Sequence, residues 1–303
     1  MNSKTKGVIY AILSAVAFGA MPIFAKLAYN NGSNSTTVLA VRFLLASLTL
    51  FIYFKIKRQN FKINKKQLYI LCVLGVFGYT ITSETLFMSY SYLSVGLATT
   101  VHFIYPAVVC LIGYLFFKER IGKMKLIALI LSIIGVFILV GFENKTISIL
   151  GVTLALISGV SYGANIIGLS LEDISSLDNK ISTFYISIFS GVTMLILAIL
   201  TKRLSLAINT EIFVSYIGIS LVSTITSIIF LLKAIEEIGA TSASILATFE
   251  PIVSIILGVL FFKESFTFSM LIGTMVILIS VIIIAKSKEE KVIEKEEDTR
   301  SSL

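Results

Sequence analysis

The sequence has few charged residues and few residues that break helices. Only 14% of its 303 residues are charged, and it contains 3 prolines, 1 histidine, 2 cysteines and no tryptophan. Soluble domains usually carry about 25% charged residues, so this scarcity argues against an ordinary soluble protein. The chain is rich in apolar residues instead, with 56% hydrophobic residues and a mean hydropathy of +0.97. This composition predicts a membrane protein.

The scarcity of reactive side chains excludes several functional classes. Cys72 and Cys110 lie in apolar runs, without the spacing of a disulfide framework or a metal site. The histidine and the scattered carboxylates form no HExxH, GxSxG or P-loop motif, so we expect no enzyme, no cofactor and no metal. The net charge of +8 comes from basic residues in short loops, so we expect no nucleic-acid partner.

The apolar runs are long enough to cross a bilayer, which takes about 20 apolar residues per helix. Charged and turn residues divide the chain into ten such runs, and the need to satisfy every backbone group in hydrocarbon favours helices. We therefore predict an all-α integral membrane protein with ten transmembrane helices. The predicted spans are 7–28, 36–54, 68–90, 95–117, 124–142, 149–171, 181–201, 211–235, 240–262 and 267–285.

The positions of the lysines and arginines predict the orientation of these spans. They concentrate at the N-terminus, after the second and fourth spans, and in the tail 287–303. Short loops rich in lysine and arginine stay in the cytoplasm, so we expect both termini there, in a multi-pass protein of a bacterial cell membrane. The tail alternates lysine and glutamate, and this charge-rich pattern predicts disorder.

Two sequence patterns recur at nearly the same offset, which indicates an internal duplication. Small and aromatic residues of the first span, from Gly7 to Ala20, recur 144 positions later, and Pro106 with its following Phe-Phe-Lys-Glu recurs 145 positions later at Pro251. We expect residues 1–142 and 149–286 to form two repeats of five spans each. Because five is odd, the second repeat must enter the membrane in the opposite orientation. Inverted repeats are typical of transporters, in which a central site is exposed alternately to each side.

The residues of these repeats resemble the EamA family of the drug/metabolite transporter superfamily. The resemblance covers about residues 7–286, and Phe18 stands where the family usually has tryptophan. The sequence pieces that carry it are Ala17-Phe18-Gly19-Ala20 with Lys26, Arg42-Phe43-Leu44-Leu45-Ala46, and the two Pro-to-Phe-Phe-Lys-Glu stretches. The resemblance implies secondary transport, often export of amino acids or other small metabolites. It also implies that helices one to four and six to nine line a central cavity, with the fifth and tenth at the periphery.

Ionisable residues inside the predicted spans need a partner or a function, because a charge in hydrocarbon costs a few kcal/mol or more. Arg42, Glu84 and His102 fall at similar depths in the second, third and fourth spans, so they could meet. One interpretation is an outer gate or proton-responsive cluster around the histidine. The other is a static pair of Arg42 and Glu84 beside a hydrogen-bonded His102.

A central pocket is predicted where prolines interrupt two repeat-related spans. Glu250 precedes Pro251 and its counterpart Tyr105 precedes Pro106, so both spans should kink near the midplane. Glu250 would attract an amine or accept a coupling proton; the alternatives are a protonated, hydrogen-bonded Glu250 and simple ring packing. The predicted pocket is walled by Phe18, Tyr105, Tyr162 and Glu250, with Asn165 and His102 at its margins.

Two further carboxylates, Glu119 and Glu264, end the repeated Phe-Phe-Lys-Glu stretches. They either anchor the helices at the membrane interface or form repeat-related gate contacts. The functions predicted are export of amino acids or related metabolites by alternating access, a multidrug or cationic-compound exporter, or a passive channel. The expected partners are a small metabolite, protons as the coupling ion and the lipid bilayer, for a monomer or weak homodimer.

Overall fold

The computed structural model of the chain is helical throughout its described part, with no strand there. Glu119, Glu264 and the tail 287–303, for which the sequence gives predictions, lie outside the described residues. The described ranges are 3–89, 92–93, 95–118, 121–140, 148–262 and 268–286.

The long helical rods in these ranges, α1 to α10, each overlap one predicted span, and a four-residue helix, Glu172–Ser175, lies between α6 and α7. In the first half, α1 comprises Ser3–Gly19 and Met21–Asn30, α2 is Ser35–Lys57, α3 is Lys65–Ser89, α4 comprises Val95–His102 and Tyr105–Phe117, and α5 is Lys123–Val140. In the second half, α6 is Ile149–Ser170, α7 is Asn179–Leu200, α8 covers 210–238, α9 covers 240–262 and α10 is Phe268–Lys286. Gly239, with a φ of 77°, separates α8 from α9.

Several rods have the length and apolar character of membrane-crossing helices. Six continuous helices in the described residues qualify: Ser3–Asn30, Ser35–Lys57, Lys65–Ser89, Ile149–Ser170, Asn179–Leu200 and Thr210–Ser254. The last of these has 45 residues, about twice the length that one crossing needs, and it contains α8 with most of α9. Tyr105–Phe117 and Leu271–Ile283 are apolar but shorter. The structure therefore confirms a multi-pass helical membrane protein.

The distribution of polar residues fits a lipid environment. Small polar side chains are buried, and Ser158, Ser187 and Ser190 have no exposed area. Bulky apolar side chains lie on the outside instead, with Leu200 74% exposed and Phe137 57% exposed. In water this arrangement would leave large apolar patches uncovered, whereas in a bilayer the lipid tails cover them.

Asparagine side chains fix where several rods begin. The Asn34 side chain accepts a hydrogen bond from the Thr37 amide at 3.0 Å at the start of α2. Asn209 accepts one from the Ile212 amide at 2.8 Å at the start of α8. An asparagine before the first turn satisfies a backbone donor that has no partner within the helix. These caps place the polar loops between the predicted spans.

All three prolines of the chain lie at helix breaks. Pro106 opens the second segment of α4, and Pro251 follows a 3-10 turn, Ala247–Phe249, in α9. These breaks confirm the two kinks predicted from the repeated prolines. Pro22 opens the second segment of α1, a third break that the sequence reasoning did not predict. A proline at the first turn is tolerated because its missing amide has no partner there anyway.

Two wide turns in α3 and α8 are a feature that the sequence did not predict. Leu74–Tyr79 and Leu221–Thr226 are π-helical. In each, a threonine hydroxyl donates to the carbonyl five residues earlier: Thr80 to Gly75 at 3.0 Å and Thr224 to Ile219 at 2.9 Å. Single π turns inside α-helices are rare and occur often at functional sites.

Equivalent contacts between rods occur in both halves of the chain. In α1, Ser14 donates to the Ser227 carbonyl on α8 at 2.9 Å, and in α6 its counterpart Ser158 donates to Thr82 on α3 at 2.8 Å. Gly19 lies against the Glu250 carbonyl, as Gly163 lies against the Tyr105 carbonyl, so closely that a side chain would collide at either site.

Two rods of the first repeat, α2 and α5, pack against their counterparts in the second repeat, α7 and α10. The two helices of each pair run antiparallel. Along the α2–α7 pair, Leu44 lies beside Gly191, and Phe54 contacts Phe184 with ring centroids 5.9 Å apart. Rods α5 and α10 pack chiefly against each other, and the Ser280 hydroxyl donates to the Ala128 carbonyl at 2.9 Å. This pairing places α5 and α10 together, away from most other rods.

Candidate functional site

Buried rings from α3, α4 and α6 meet at the centre of the helical assembly. The Tyr105 and Tyr162 rings lie edge to face with centroids 4.8 Å apart, and the His102 ring is 5.5 Å from each. Tyr79 contacts Tyr162 edge to face at 6.3 Å. None of these four side chains is more than 9% exposed. The structure thus brings together three of the predicted pocket residues and adds Tyr79.

His102 is held by a serine of the other half. Its Nδ1 lies 2.9 Å from the Ser158 hydroxyl, which also donates to the Thr82 carbonyl. A hydroxyl has one hydrogen, and a carbonyl can only accept, so both bonds form together only when Nδ1 carries the proton and donates to Ser158. This hydrogen bond fixes the orientation of the ring, and Nε2 is the ring nitrogen that takes no part in it.

Arg42 is a buried cation that connects three rods. Its Nε donates to the Thr224 hydroxyl on α8 at 2.8 Å, and its Nη1 lies 2.7 Å from the Met21 sulfur on α1. The guanidinium carbon is 4.5 Å from the centre of the Phe43 ring. The side chain is only 3% exposed. Neutral groups supply these direct contacts, so the positive charge is not neutralised by an adjacent carboxylate in the described residues.

The predicted meeting of Arg42 with Glu84 is wrong. No ion pair joins these two described side chains, and Arg203 in the loop after α7 supplies the attraction on Glu84 instead. Glu84 Oε2 is buried without a hydrogen-bond partner in the described residues. Equal depth along two helices does not determine which faces they turn toward each other. The Arg42 side chain points toward α1 and α8, so the predicted cluster of Arg42, Glu84 and His102 does not form.

Arg42 belongs electrostatically to the same group as Glu250. The Arg42 and Glu250 side chains lie close enough to interact electrostatically, and Tyr79 and Tyr162 lie near both. No direct ion pair joins Arg42 and Glu250 in the described residues. Glu250 opens the second segment of α9, and its main chain lies against Gly19. The site therefore holds an arginine and a glutamate side chain near each other without a direct ion pair.

Phe18 lies next to this contact and is 7% exposed within the main apolar cluster. The Ser254 hydroxyl donates to the Gly19 carbonyl at 3.0 Å, which ties α9 to the end of the first segment of α1.

Several buried polar atoms near the rings have no hydrogen-bond partner among the described residues. They include both amide atoms of Asn165, which is 1% exposed, and the hydroxyls of Tyr79 and Tyr105. The Asn165 amide lies against Gly78 on α3. An unsatisfied buried polar group costs about 1–3 kcal/mol, so such groups usually meet a ligand or water. Asn165 is therefore a fully buried polar side chain packed against α3 beside Tyr79.

The repeat relates the two sides of this site. Arg42 corresponds to Ser187 and Thr224 to Tyr79, each at an offset of 145, and Met21 corresponds to Asn165 at 144. On one side Arg42 bonds to its neighbours, whereas on the other the Ser187, Tyr79 and Asn165 polar atoms lack partners in the described residues. Applying the offset to Arg42 would have identified Ser187, and applying it to Asn165 would have identified Met21, both of which the sequence reasoning missed. Tyr79 and Thr224, which it also missed, correspond only to each other, so the repeat offered no signal for them.

The arrangement suits binding of a small molecule better than covalent chemistry. A buried cation, a carboxylate, several rings and unpaired amide and hydroxyl groups provide complementary contacts for a ligand with both charges. No group of three or more histidine, cysteine or acidic side chains able to hold a metal ion occurs in the described part of the chain.

The chain matches one known protein family in two places. Residues 5–141 and 149–286 each match the EamA-like transporter family. The chain thus contains two EamA repeats.

Individual relatives match over almost their whole length. An uncharacterized inner membrane transporter, YicL, of Salmonella typhimurium is 26% identical over 94% of this chain and 97% of its own. An uncharacterized transporter of Clostridium kluyveri is 23% identical over 98% and 99%. A WAT1-related protein of Arabidopsis thaliana is 24% identical over 90% and 87%. One solved crystal structure shares the fold, with a TM-score of 0.77 and 11% identity over 92% of this chain and 96% of that chain.

Proposed function

Because this chain belongs to the EamA-like transporter family, we propose that it is a secondary active transporter that exports amino acids or related small metabolites by alternating access. The observation that carries this proposal is the central group of Arg42, Glu250 and unpaired polar atoms, enclosed by rods of both repeats. A site shared by two equivalent halves can be opened to either side when the halves exchange conformations.

The contact pattern supports ten crossings arranged as two inverted repeats. Rods α2 and α7 occupy equivalent places in the two repeats and pack antiparallel, as do α5 and α10. Equivalent rods of repeats with the same orientation would instead run parallel. The 45-residue helix Thr210–Ser254 supplies the length of two crossings, with Gly239 at the turn between α8 and α9.

The charges of the site support a substrate that carries both a carboxylate and an amine. Arg42 offers a guanidinium fixed by Thr224, and a guanidinium pairs with a carboxylate in bidentate geometry. Glu250 attracts the amine, because a carboxylate accepts hydrogen bonds from an ammonium group. The separation between Arg42 and Glu250 is where a dipolar molecule would be inserted, with Tyr105 and Tyr162 against its apolar part.

Export and proton coupling are part of the same proposal. Glu250 can bind either a proton or the substrate amine, and exchange between these two ligands would couple their movements in opposite directions. Both termini lie in the cytoplasm and the protein resides in the bacterial cell membrane, as the distribution of lysine and arginine supports.

Reconstitution into liposomes tests the proposal. Proteoliposomes loaded with an unlabelled amino acid should accumulate the labelled one by counterflow, with saturation, and a pH gradient should drive net movement. The panel should pair each amino acid with its decarboxylated amine, and should include nucleosides.

Three outcomes would replace the proposal. Transport of the amines in preference to the amino acids would indicate a multidrug or cationic-compound exporter. Conductance without saturation or counterflow would indicate a passive channel. Transport that is unchanged in Glu250→Gln, in both affinity and response to the pH gradient, would remove the central site from the mechanism.

A further inference from the structure

A cavity lies away from the central site, between α3, α7 and the loop that precedes α3. It is open to the outside and has a volume of about 560 Å³. Paired residues one helical turn apart on α7 form its floor, with Val76 of α3 and Phe61 of the loop as walls. The α7 residues are Phe184, Tyr185, Ile188, Phe189, Val192 and Thr193.

The lining of this cleft offers apolar surface and almost no free polar group. Its two polar side chains already donate within the protein: the Tyr185 hydroxyl to the Phe61 carbonyl at 3.2 Å, and the Thr193 hydroxyl to Phe189 at 2.8 Å. With both hydroxyl hydrogens already used, a polar solute would find few hydrogen bonds here to replace those it makes with water. The cleft therefore suits a hydrocarbon chain.

The position of the cleft in the bilayer fits the same occupant. Phe184 is five residues from the start of α7 and Thr193 is fourteen, so the cleft extends from about 7 Å to about 21 Å along the helix. Since the hydrocarbon core is about 30 Å thick, the cleft runs from beneath the headgroups to beyond the midplane. An acyl chain that enters the bilayer beside α7 would lie along it.

The open end of the cleft lies beside a basic loop. Residues 55–66 contain six lysines and arginines and no acidic residue. In this part of the chain, Lys66 pairs with Asp173 at 2.7 Å, but no ion pair is formed by the exposed Lys62 or Lys65 in the described residues. Lys62 follows Phe61 directly. The cleft thus combines an apolar wall with cations at headgroup level.

The loop is held in this position by aromatic contacts. The Phe61 ring lies 5.2 Å from Phe54 and 5.6 Å from Phe184, centroid to centroid. Gln59 also donates to Asp178 before α7 at 2.9 Å. These contacts fix Lys62 near the base of α7, so binding at this point does not require the loop to be ordered first.

We propose that this cleft binds one acyl chain of an anionic glycerophospholipid, whose phosphate lies against Lys62 and Lys65. Basic residues at the end of an intramembrane cleft favour an anionic headgroup over a zwitterionic one. The site is separate from the central group around Arg42, and the proposal does not depend on the transported substrate.

The absence of tryptophan from the chain allows a direct test. Phe189→Trp places a single fluorophore in the cleft, and Phe137→Trp places one on the exposed face of α5. Each variant is reconstituted with brominated phosphatidylglycerol or brominated phosphatidylcholine, and quenching is measured against lipid fraction. For Phe189→Trp, we expect the lipid fraction that gives half-maximal quenching to be at least threefold lower with phosphatidylglycerol than with phosphatidylcholine. For Phe137→Trp, we expect this fraction to be the same with both lipids.

The headgroup contact is tested by adding Lys62→Gln and Lys65→Gln to Phe189→Trp. This double change should abolish the preference, whereas Lys202→Gln, at the other end of α7, should leave it. Equal quenching of Phe189→Trp by the two lipids, or a preference that survives the loss of both lysines, overturns the proposal. Native mass spectrometry of the unsubstituted protein, titrated with the same two headgroups, gives the comparison without a change in the cleft, and equal retention of both lipids would also overturn it.

Discussion

Arg42 on α2 donates a hydrogen bond from Nε to the Thr224 hydroxyl on α8, 2.8 Å away, and thereby joins the two repeats. Thr224 belongs to the π-helical turn of α8, and its hydroxyl hydrogen is donated to the Ile219 carbonyl. The hydroxyl oxygen is thus oriented to accept from the guanidinium. Any movement of α2 against α8 must either carry this bond along or break it.

Thr224→Val should weaken recognition of a substrate carboxylate. The change keeps the side-chain shape but removes the acceptor of Arg42, and a hydrogen bond to a charged group contributes about 1.5–3 kcal/mol. If half of this is lost in positioning the guanidinium, KM for an amino acid should rise about four- to twelvefold, with a smaller effect on the corresponding amine. Counterflow at varied substrate concentration measures both values.

Thr226→Val is the matched control for this experiment. Thr226 lies in the same π-helical turn and donates to the Leu221 carbonyl at 2.9 Å, but its side chain is exposed and does not contact Arg42. We expect its KM to remain within about twofold of the original protein. An equal rise in KM in the two variants would show that recognition of the carboxylate depends on the π-helical turn itself and not on the hydrogen bond to Arg42.

Glu250→Gln should remove the preference for substrates that carry an amine over analogues that lack it. The amide keeps the size of the side chain but loses the negative charge that attracts an ammonium group. We expect at least a tenfold loss of affinity for amino acids and little change for analogues that lack the amine, measured as competition against labelled substrate. Glu211→Gln, which alters an exposed carboxylate at the start of α8, should leave both unchanged. Parallel losses for analogues with and without the amine would contradict this role.

Sequence reasoning predicted the rods and the repeat because both depend on local patterns. Apolar length defines the spans, and the paired prolines at Pro106 and Pro251 determine two of the breaks. It did not predict the π-helical turns, because spans that are apolar on all faces carry too little periodicity for a one-residue shift to be noticed. The partners of Arg42 were missed for another reason: the prediction considered depth along the helix axis but not rotation about that axis.

The repeat itself contained the missing information. The repeat counterpart of Arg42 is Ser187, whose hydroxyl is fully buried and has no hydrogen-bond partner in the described residues. Comparing each half with the other identifies polar positions that face inward in both. Lipid-facing and inward-facing positions on one rod cannot be distinguished by hydropathy alone when small residues fill the interface.

Asn165→Leu should stabilise the protein without substrate while impairing transport. The Asn165 amide is 1% exposed, and neither of its polar atoms has a partner in the described residues, so an apolar side chain of similar size removes a cost of about 1–3 kcal/mol. We expect a higher unfolding temperature in detergent and a smaller further rise on addition of substrate. Improved stability with lost function is common where a site keeps unsatisfied groups for its ligand.

Asn31→Leu makes the same substitution at an asparagine whose amide does have a hydrogen-bond partner. The Asn31 side chain donates to the Leu27 carbonyl at 2.9 Å at the end of α1, so its amide is satisfied. This change should lower the unfolding temperature and leave the rise on addition of substrate intact. A lower unfolding temperature for Asn165→Leu as well would mean that the Asn165 amide is satisfied in the protein without substrate.

Single cysteines on two loops should label from opposite sides of the membrane. At one end, the Asn34 side chain donates to the Arg203 carbonyl at 2.6 Å, which joins the loops after α1 and α7; at the other, Gln59 contacts Asp178. In a background with Cys72 and Cys110 replaced, an impermeant maleimide applied to intact cells should react with Ser205→Cys but not with Asn60→Cys. Both should react after permeabilisation. Labelling of both sites in intact cells would place the two loops on the same side of the membrane. In that case α2 would not cross the bilayer. It could then not pair antiparallel with a membrane-crossing α7, as inverted repeats require.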